Sequence, residues 1–215
     1  IANQHHAITE QALADAAVTL LKNDKVLPLN SANIKKLHIV VADQQELSAI
    51  NYAIDNAFMK LSKGAVIRKP AISYFIADSM KSTKHVDALI KKADIVIATV
   101  DIKTASLVDL GGMDDLTPSY GSAAQQDHKR TYANLLKQQF ILANKLNVPT
   151  LLIAKGSPFL INEYSELADA VLLNFDDRVY RDHNQQVISP GYNASFKVIL
   201  ANEDALGVLP VTLRN

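Results

Sequence analysis

Six short apolar runs, separated by helix-like segments, constrain the fold of this 215-residue chain more than any other feature. They are LHIVVA at 37–42, ISYFIA at 72–77, ADIVIATVD at 93–101, PTLLIAK at 149–155, ADAVLLNF at 168–175 and VLPVTL at 208–213. The run at 37–42 is too short for a helix and rich in β-branched residues, which pack well on a pleated surface, and the others read as strands like it. Several lack polar alternation, the pattern of strands covered on both faces. Helical periodicity falls between them, at about 45–60, 83–92, 123–146, 158–166 and 190–201. The longest places Tyr132, Leu135, Leu136, Ala143 and Leu146 on one side. A β-α-β-α order predicts right-handed crossovers and a three-layer α/β/α sandwich with a mainly parallel sheet of about six strands. A single domain over 1–215 is the expected organisation, since 48% hydrophobic residues suffice for one sizeable core.

Before the first run, the spacing of Leu13, Ala17, Val18, Leu20 and Leu21 predicts an amphipathic helix over roughly 7–22 that packs on the sheet. Pro28 bars its continuation. Near the other end, Ser189 is suited to cap a helix that Pro190 begins, and Gly207 to break the chain before the last strand.

Composition removes several function classes. Lysine and arginine equal aspartate and glutamate at 22 each, so electrostatic attraction to nucleic acid has little to act through. No apolar run approaches the roughly 18 residues of a membrane span. The absence of cysteine excludes disulfides, thiol catalysis and thiolate metal sites, and it suits an exported enzyme as well as a cytosolic one. The chain begins at Ile1 without a leader pattern and reads as a fragment whose natural start has been removed or lies upstream.

Chemistry-bearing motifs are few. After the run at 37–42 comes Asp43-Gln44-Gln45-Glu46, which lacks the glycines and lysine of a phosphate loop, so no nucleotide cofactor is expected. Gly156-Ser157-Pro158 lacks the second glycine of a nucleophile elbow, and Ser157 reads as a helix cap. Among His5, His6, His38, His85, His128 and His183 no pair has the i, i+4 spacing that presents two imidazoles to a metal, so no metal site is expected. His38 reads as a packed or edge histidine, and Asn193-Ala194-Ser195 as a chance glycosylation pattern inside a helix. Glu163 and Glu166 read as surface residues. The stretch 102–122 has no periodicity and follows a strand's carboxyl end, where open α/β sheets place ligand contacts. It holds Asp109, Asp114 and Asp115, of which Asp109 and Asp114 are the weak candidates for a catalytic carboxylate; a solvated acidic loop is the competing reading.

Four phrases in order carry a resemblance to a known family. LLKN at 20–23 with Leu27-Pro28-Leu29, VPTLLIAKGSPF at 148–159, ADAVLLNF at 168–175 and GVLPVTL at 207–213 resemble the carboxyl-terminal α/β domain of glycoside hydrolase family 3. The resemblance spans nearly the whole chain. It implies a retaining exo-acting glycosidase whose nucleophile lies in a separate amino-terminal barrel, the expected partner of this domain. In the β-glucosidase branch a glutamate on a loop of this domain is the acid/base, in a context that falls at Asp109, Gly111, Gly112 and Asp114. No glutamate occurs here between Glu46 and Glu163. The chain is closer to the β-N-acetylglucosaminidase branch, whose proton-transfer groups lie in the barrel and whose substrates are peptidoglycan fragments or chitooligosaccharides. The implied role is a non-catalytic accessory domain, inactive alone, reaching carbohydrate through the whole enzyme, in an exported or cell-envelope setting in preference to the cytoplasm. Two alternatives stay open: a β-glucosidase-type domain using an acid/base from 102–122, and a free-standing flavodoxin-like binding module.

Overall fold

The computed structural model describes residues 4–30, 33–61, 68–77, 85–102, 123–156, 161–176, 178–201 and 203–209. In chain order the elements are α1 (Gln4–Ala17), β1 (Thr19–Asn23), β2 (Lys36–Val41), α2 (Gln44–Leu61), β3 (Ala71–Ile76), α3 (Val86–Ile90) and β4 (Ile95–Ile102). Then follow α4 (Ala123–Lys145), β5 (Thr150–Gly156), α5 (Asn162–Ser165), β6 (Ala170–Asn174), β7 (Tyr180–Arg181), β8 (Val187–Ile188) and α6 (Pro190–Leu200). Among the described residues the main sheet has six strands in the order β1-β6-β5-β4-β2-β3, and only β1 runs antiparallel to its neighbour. The expected α/β sandwich is the fold.

Alternation along each strand divides the core in two. Leu37, Ile39, Ile95, Ile97, Leu151, Ile153 and Leu172 face α2 and α6, where Ile50, Ile54, Phe196 and Ile199 meet them. Val40, Val96, Ala98, Leu152, Val171 and Leu173 face α3, α4 and α5, meeting Ile90, Leu136, Phe140 and Ile161. Burial on both sides explains why these runs are apolar without a break.

The first predicted helix is corrected. It ends at Ala17, and Thr19–Asn23 is a strand paired with β6, with a register shift between Leu20 and Lys22. Leu13 is 70% and Leu20 38% exposed, so they do not share a buried stripe, whereas Ala14 and Val18 are in the core. Backbone pairing with β6 satisfies the amides of 19–23 that a helix would have bonded internally, and tertiary context overrides the periodicity. Asn23 then fixes the turn: its Oδ1 accepts from the Val26 and Leu27 amides at 2.9 Å each, ahead of a cis Leu27–Pro28 bond.

Of the predicted last strand at 208–213, all but 208–209 lies outside the described residues. Residues 203–209 join no ladder, although the Gly207 amide donates to the Val18 carbonyl at 2.8 Å. A side chain at Gly207 would meet the Ala17 carbonyl oxygen at 2.4 Å, so close approach, more than chain breaking, explains this glycine. The short β7–β8 hairpin, unforeseen in the sequence, links β6 to α6. The cap on α6 is as expected, with Ser189 Oγ accepting from the Tyr192 amide and Pro190 in the first turn.

Candidate functional site

Asp109, Asp114 and Asp115, with most of the 102–122 stretch, lie outside the described residues, as do Ser157 and Pro158. What the described residues do assemble at the carboxyl end of the sheet is a buried polar cluster built on Glu46, Lys155 and Tyr192.

Each member is placed by its own element. Asp43 precedes α2 and its Oδ1 accepts from the Glu46 amide at 2.8 Å, while Glu46 Oε2 accepts from the Ala42 amide at 3.0 Å. This resembles a capping box whose returning bond falls one residue early. Lys155 closes the apolar run of β5 and donates from Nζ to Glu46 Oε1 at 2.7 Å. Tyr192, oriented by the capped first turn of α6, donates its hydroxyl to the same oxygen. Its ring lies 5.5 Å from the Lys155 ammonium, a further attraction. The Asn174 side chain lies against Gly191, where a Cβ would come within 2.3 Å of it. On the opposite face of the sheet Tyr132 donates to the Thr99 carbonyl at 2.6 Å.

Electrostatics fix the protonation states. Burial alone would push the Glu46 carboxyl up, but the Lys155 charge and the hydrogen bonds from Lys155, Tyr192 and Ala42 outweigh it and hold it below the usual carboxylate range. Burial and the Glu46 charge push the Tyr192 phenol well up, and the same causes act on Tyr132. The cluster therefore holds an ionised carboxylate, an ammonium and neutral phenols. A general acid must carry a proton near working pH, and Glu46 does not. The arrangement ties α2, β5 and α6 together; it is built to hold position.

Other titratable groups are likewise committed to structure. His38 is fully buried, within 3.0 Å of Ser73 Oγ and 3.3 Å of Gln139 Oε1, and burial lowers its pKa to about 4. It is the packed histidine expected. Glu166 is exposed as expected, and Ser195 is buried in α6, its hydroxyl bonded to the Gly191 carbonyl. At the amino end of the sheet an open groove of about 670 Å³ includes Asp94 and Asp169 in its lining. Asp94 Oδ2 accepts from the Lys35 and Lys36 amides, and Asp169 Oδ2 from the Thr150 amide and hydroxyl, all within 2.9 Å. These carboxylates finish strand ends. Among the described residues no three His, Asp or Glu side chains gather to hold a metal, and no helix is long and apolar enough to cross a membrane.

No family model matches the chain. A β-hexosaminidase A from Pseudoalteromonas piscicida is 31% identical over 217 residues, covering all of this chain and 34% of that protein. The chain thus spans about a third of the length of this curated relative. Among solved structures, a fungal multidomain GH3 β-N-acetylglucosaminidase aligns over 99% of this chain and 20% of its own, with TM-score 0.58 and 17% identity. The β-glucosidase of Listeria innocua in complex with isofagomine aligns over 94% of this chain and 26% of its own, with TM-score 0.57 and 13% identity. A β-glucosidase involved in saponin metabolism from intestinal bacteria aligns over 99% and 34%, with TM-score 0.58 and 14% identity. At such identities the structural likeness is one of fold.

Proposed function

We propose that this chain, which belongs to glycoside hydrolase family 3 as its carboxyl-terminal α/β domain, is the non-catalytic part of a retaining exo-acting β-N-acetylglucosaminidase. It packs on the enzyme's own amino-terminal barrel, which holds the catalytic groups. The substrates are terminal β-linked N-acetylglucosamine units of peptidoglycan fragments or chitooligosaccharides. The observation that carries the reading is the state of Glu46. At the end of the sheet where α/β folds take ligands, this carboxylate is ionised, buried and saturated with donors. Retaining hydrolysis needs one carboxyl that attacks and a second group that delivers and withdraws a proton. Glu46 can do neither without breaking its pair with Lys155. The 31% identity of this chain, along its whole length, to a third of a β-hexosaminidase A supports the choice of branch.

The test compares this chain with the full-length polypeptide on an aryl β-N-acetylglucosaminide. The chain alone should give no turnover. In the full-length polypeptide, Asp109→Asn and Asp114→Asn should each leave kcat within a few-fold. A loss of about 10²–10⁴ in either, the size expected for a general acid/base, would replace this reading by the β-glucosidase-type one.

A further inference from the structure

Helix α1 has the polarity of an ordinary surface helix reversed. Its two acidic residues both point into the body of the domain. Glu10 pairs with Arg178 and accepts from the Tyr180 hydroxyl at 2.9 Å, while Asp15 accepts from Lys197 at 2.7 Å. Between them Gln11 donates to the Pro190 carbonyl at 3.1 Å, and Ala14 joins the core. These bonds fix which side of α1 faces outward before any partner arrives.

The outward side is the apolar one. Ile8, Thr9, Ala12, Leu13 and Ala16 are exposed, Ile8 by 64% and Leu13 by 70%. At 3.6 residues per turn they cover about 140° of the helix without a charged side chain. A helix facing water normally places its charges outside and its apolar stripe within. The apolar surface continues past the helix. The Gly207 amide donates to the Val18 carbonyl, and a Cβ on Gly207 would meet the Ala17 carbonyl oxygen, so the chain at 207 lies against the end of α1. Its neighbours Leu206 and Val208 are 64% and 86% exposed. With Leu20, five of the nine large hydrophobic side chains exposed among the described residues belong to α1 or to the chain at its end. Scattered exposed apolar residues need no explanation, but a concentration of them marks an interaction surface.

We infer that the outward face of α1, continued by Leu206 and Val208, is the surface on which the amino-terminal barrel packs. The inference rests on the glycosidase reading above, which supplies that barrel. The chain covers 34% of its β-hexosaminidase relative, so most of such a polypeptide lies outside it. A barrel on the amino-terminal side joins this domain through α1. That tether gives it a roughly millimolar effective concentration at this face, which a second copy does not reach. A helix lying on a membrane carries lysine or arginine on its polar face, and α1 has neither. The barrel surface that meets α1 is apolar and uncharged, since a charge there would lose water without gaining a partner.

The full-length polypeptide provides the test, carrying Leu13→Cys and treated with a thiol reagent whose site of attachment is read by mass spectrometry. Sedimentation velocity gives the oligomeric state, and an aryl β-N-acetylglucosaminide the activity. The introduced thiol should react at least about tenfold more slowly in the native polypeptide than in urea, because a covered side chain is reached only when the contact opens. Leu13→Glu should lower the melting temperature by several degrees and leave the polypeptide monomeric, as expected of a charge forced against an apolar partner. Labelling within a few-fold of the rate in urea, in a polypeptide that turns over the glycoside, overturns the docking face and leaves the hydrolase reading standing. Slow labelling of a monomer without turnover overturns the hydrolase reading and leaves the face. Protection that vanishes on dilution together with a dimer shows that a second copy covers α1, and overturns the barrel as its occupant.

Discussion

Replacing Lys155 by Met tests what the buried ion pair contributes. Met keeps the length and apolar stem of the side chain and removes its charge. The Glu46 and Lys155 side chains are 5% and 11% exposed, so solvent cannot take over the lost partner. Tyr192 and the Ala42 amide would still donate to Glu46. Breaking one half of such a pair costs about 3–5 kcal/mol, against a stability of roughly 5–15 kcal/mol for a domain. The pH dependence separates this cause from a packing defect. In the native chain the folded pKa of Glu46 lies below its unfolded value of about 4.3. The pair's contribution is therefore complete above that value and is lost as pH falls through the folded pKa. In Lys155→Met burial acts with less opposition and pushes Glu46 up, so protonation on acidification relieves the strain. Urea denaturation followed by circular dichroism should show a loss near the predicted size at pH 7 and a smaller one at pH 5. Adding Glu46→Gln should restore much of it, because no buried charge then remains. A loss under about 1 kcal/mol at pH 7, or one equal at both pH values, would refute the reasoning.

Three further outcomes follow from the packing. His38 has a folded pKa of about 4 against about 6.5 unfolded, so its contribution is whole above 6.5 and is lost as pH falls toward 4, a slope of about 3 kcal/mol in total; His38→Asn should flatten it in denaturation curves taken across that range. Leu20→Ala should cost under about 1 kcal/mol, because Leu20 is 38% exposed, whereas Leu172→Ala, fully buried on the neighbouring strand, should cost about 2–5 kcal/mol in the same assay. Gly207→Ala should cost about 1–3 kcal/mol, since its Cβ would sit 2.4 Å from the Ala17 carbonyl oxygen, and a midpoint equal to wild type would show that the segment can shift aside.

The interior of this fold is legible in the sequence because burial on both faces leaves a mark that needs no partner to be read. Runs such as ADIVIATVD and PTLLIAK carry that mark and are strands here, and Pro190 after Ser189 starts a helix by local chemistry. TLLKN at 19–23 is different. Its leucines extend the helical spacing of α1, and only the edge of β6, some 150 residues later in the chain, makes it a strand. The polar cluster was hidden for the same reason. Glu46 and Lys155 stand 109 residues apart, and Glu46 and Tyr192 146 apart. Two local signals were present: Asp43 three residues before Glu46 marks a helix start, and a lysine closing LLIAK is a charge entering an apolar strand. Neither says which residue answers it. The outward face of α1 gave no signal either, because Leu13 has the spacing of a buried stripe and only Arg178 and Lys197, far along the chain, draw Glu10 and Asp15 inward.

The hydrogen bond from the Gly207 amide to the Val18 carbonyl gives the sheet a finished border. Among the described residues β1 is the outermost strand on this side of the sheet, the kind of edge on which a second chain can add a strand. Gly207 meets the chain at the start of β1, and residues 203–209 form no ladder. They act as a hem, occupying the border while contributing no strand. Weakening this contact would open the border just before β1, and its first consequence would be self-association through that edge.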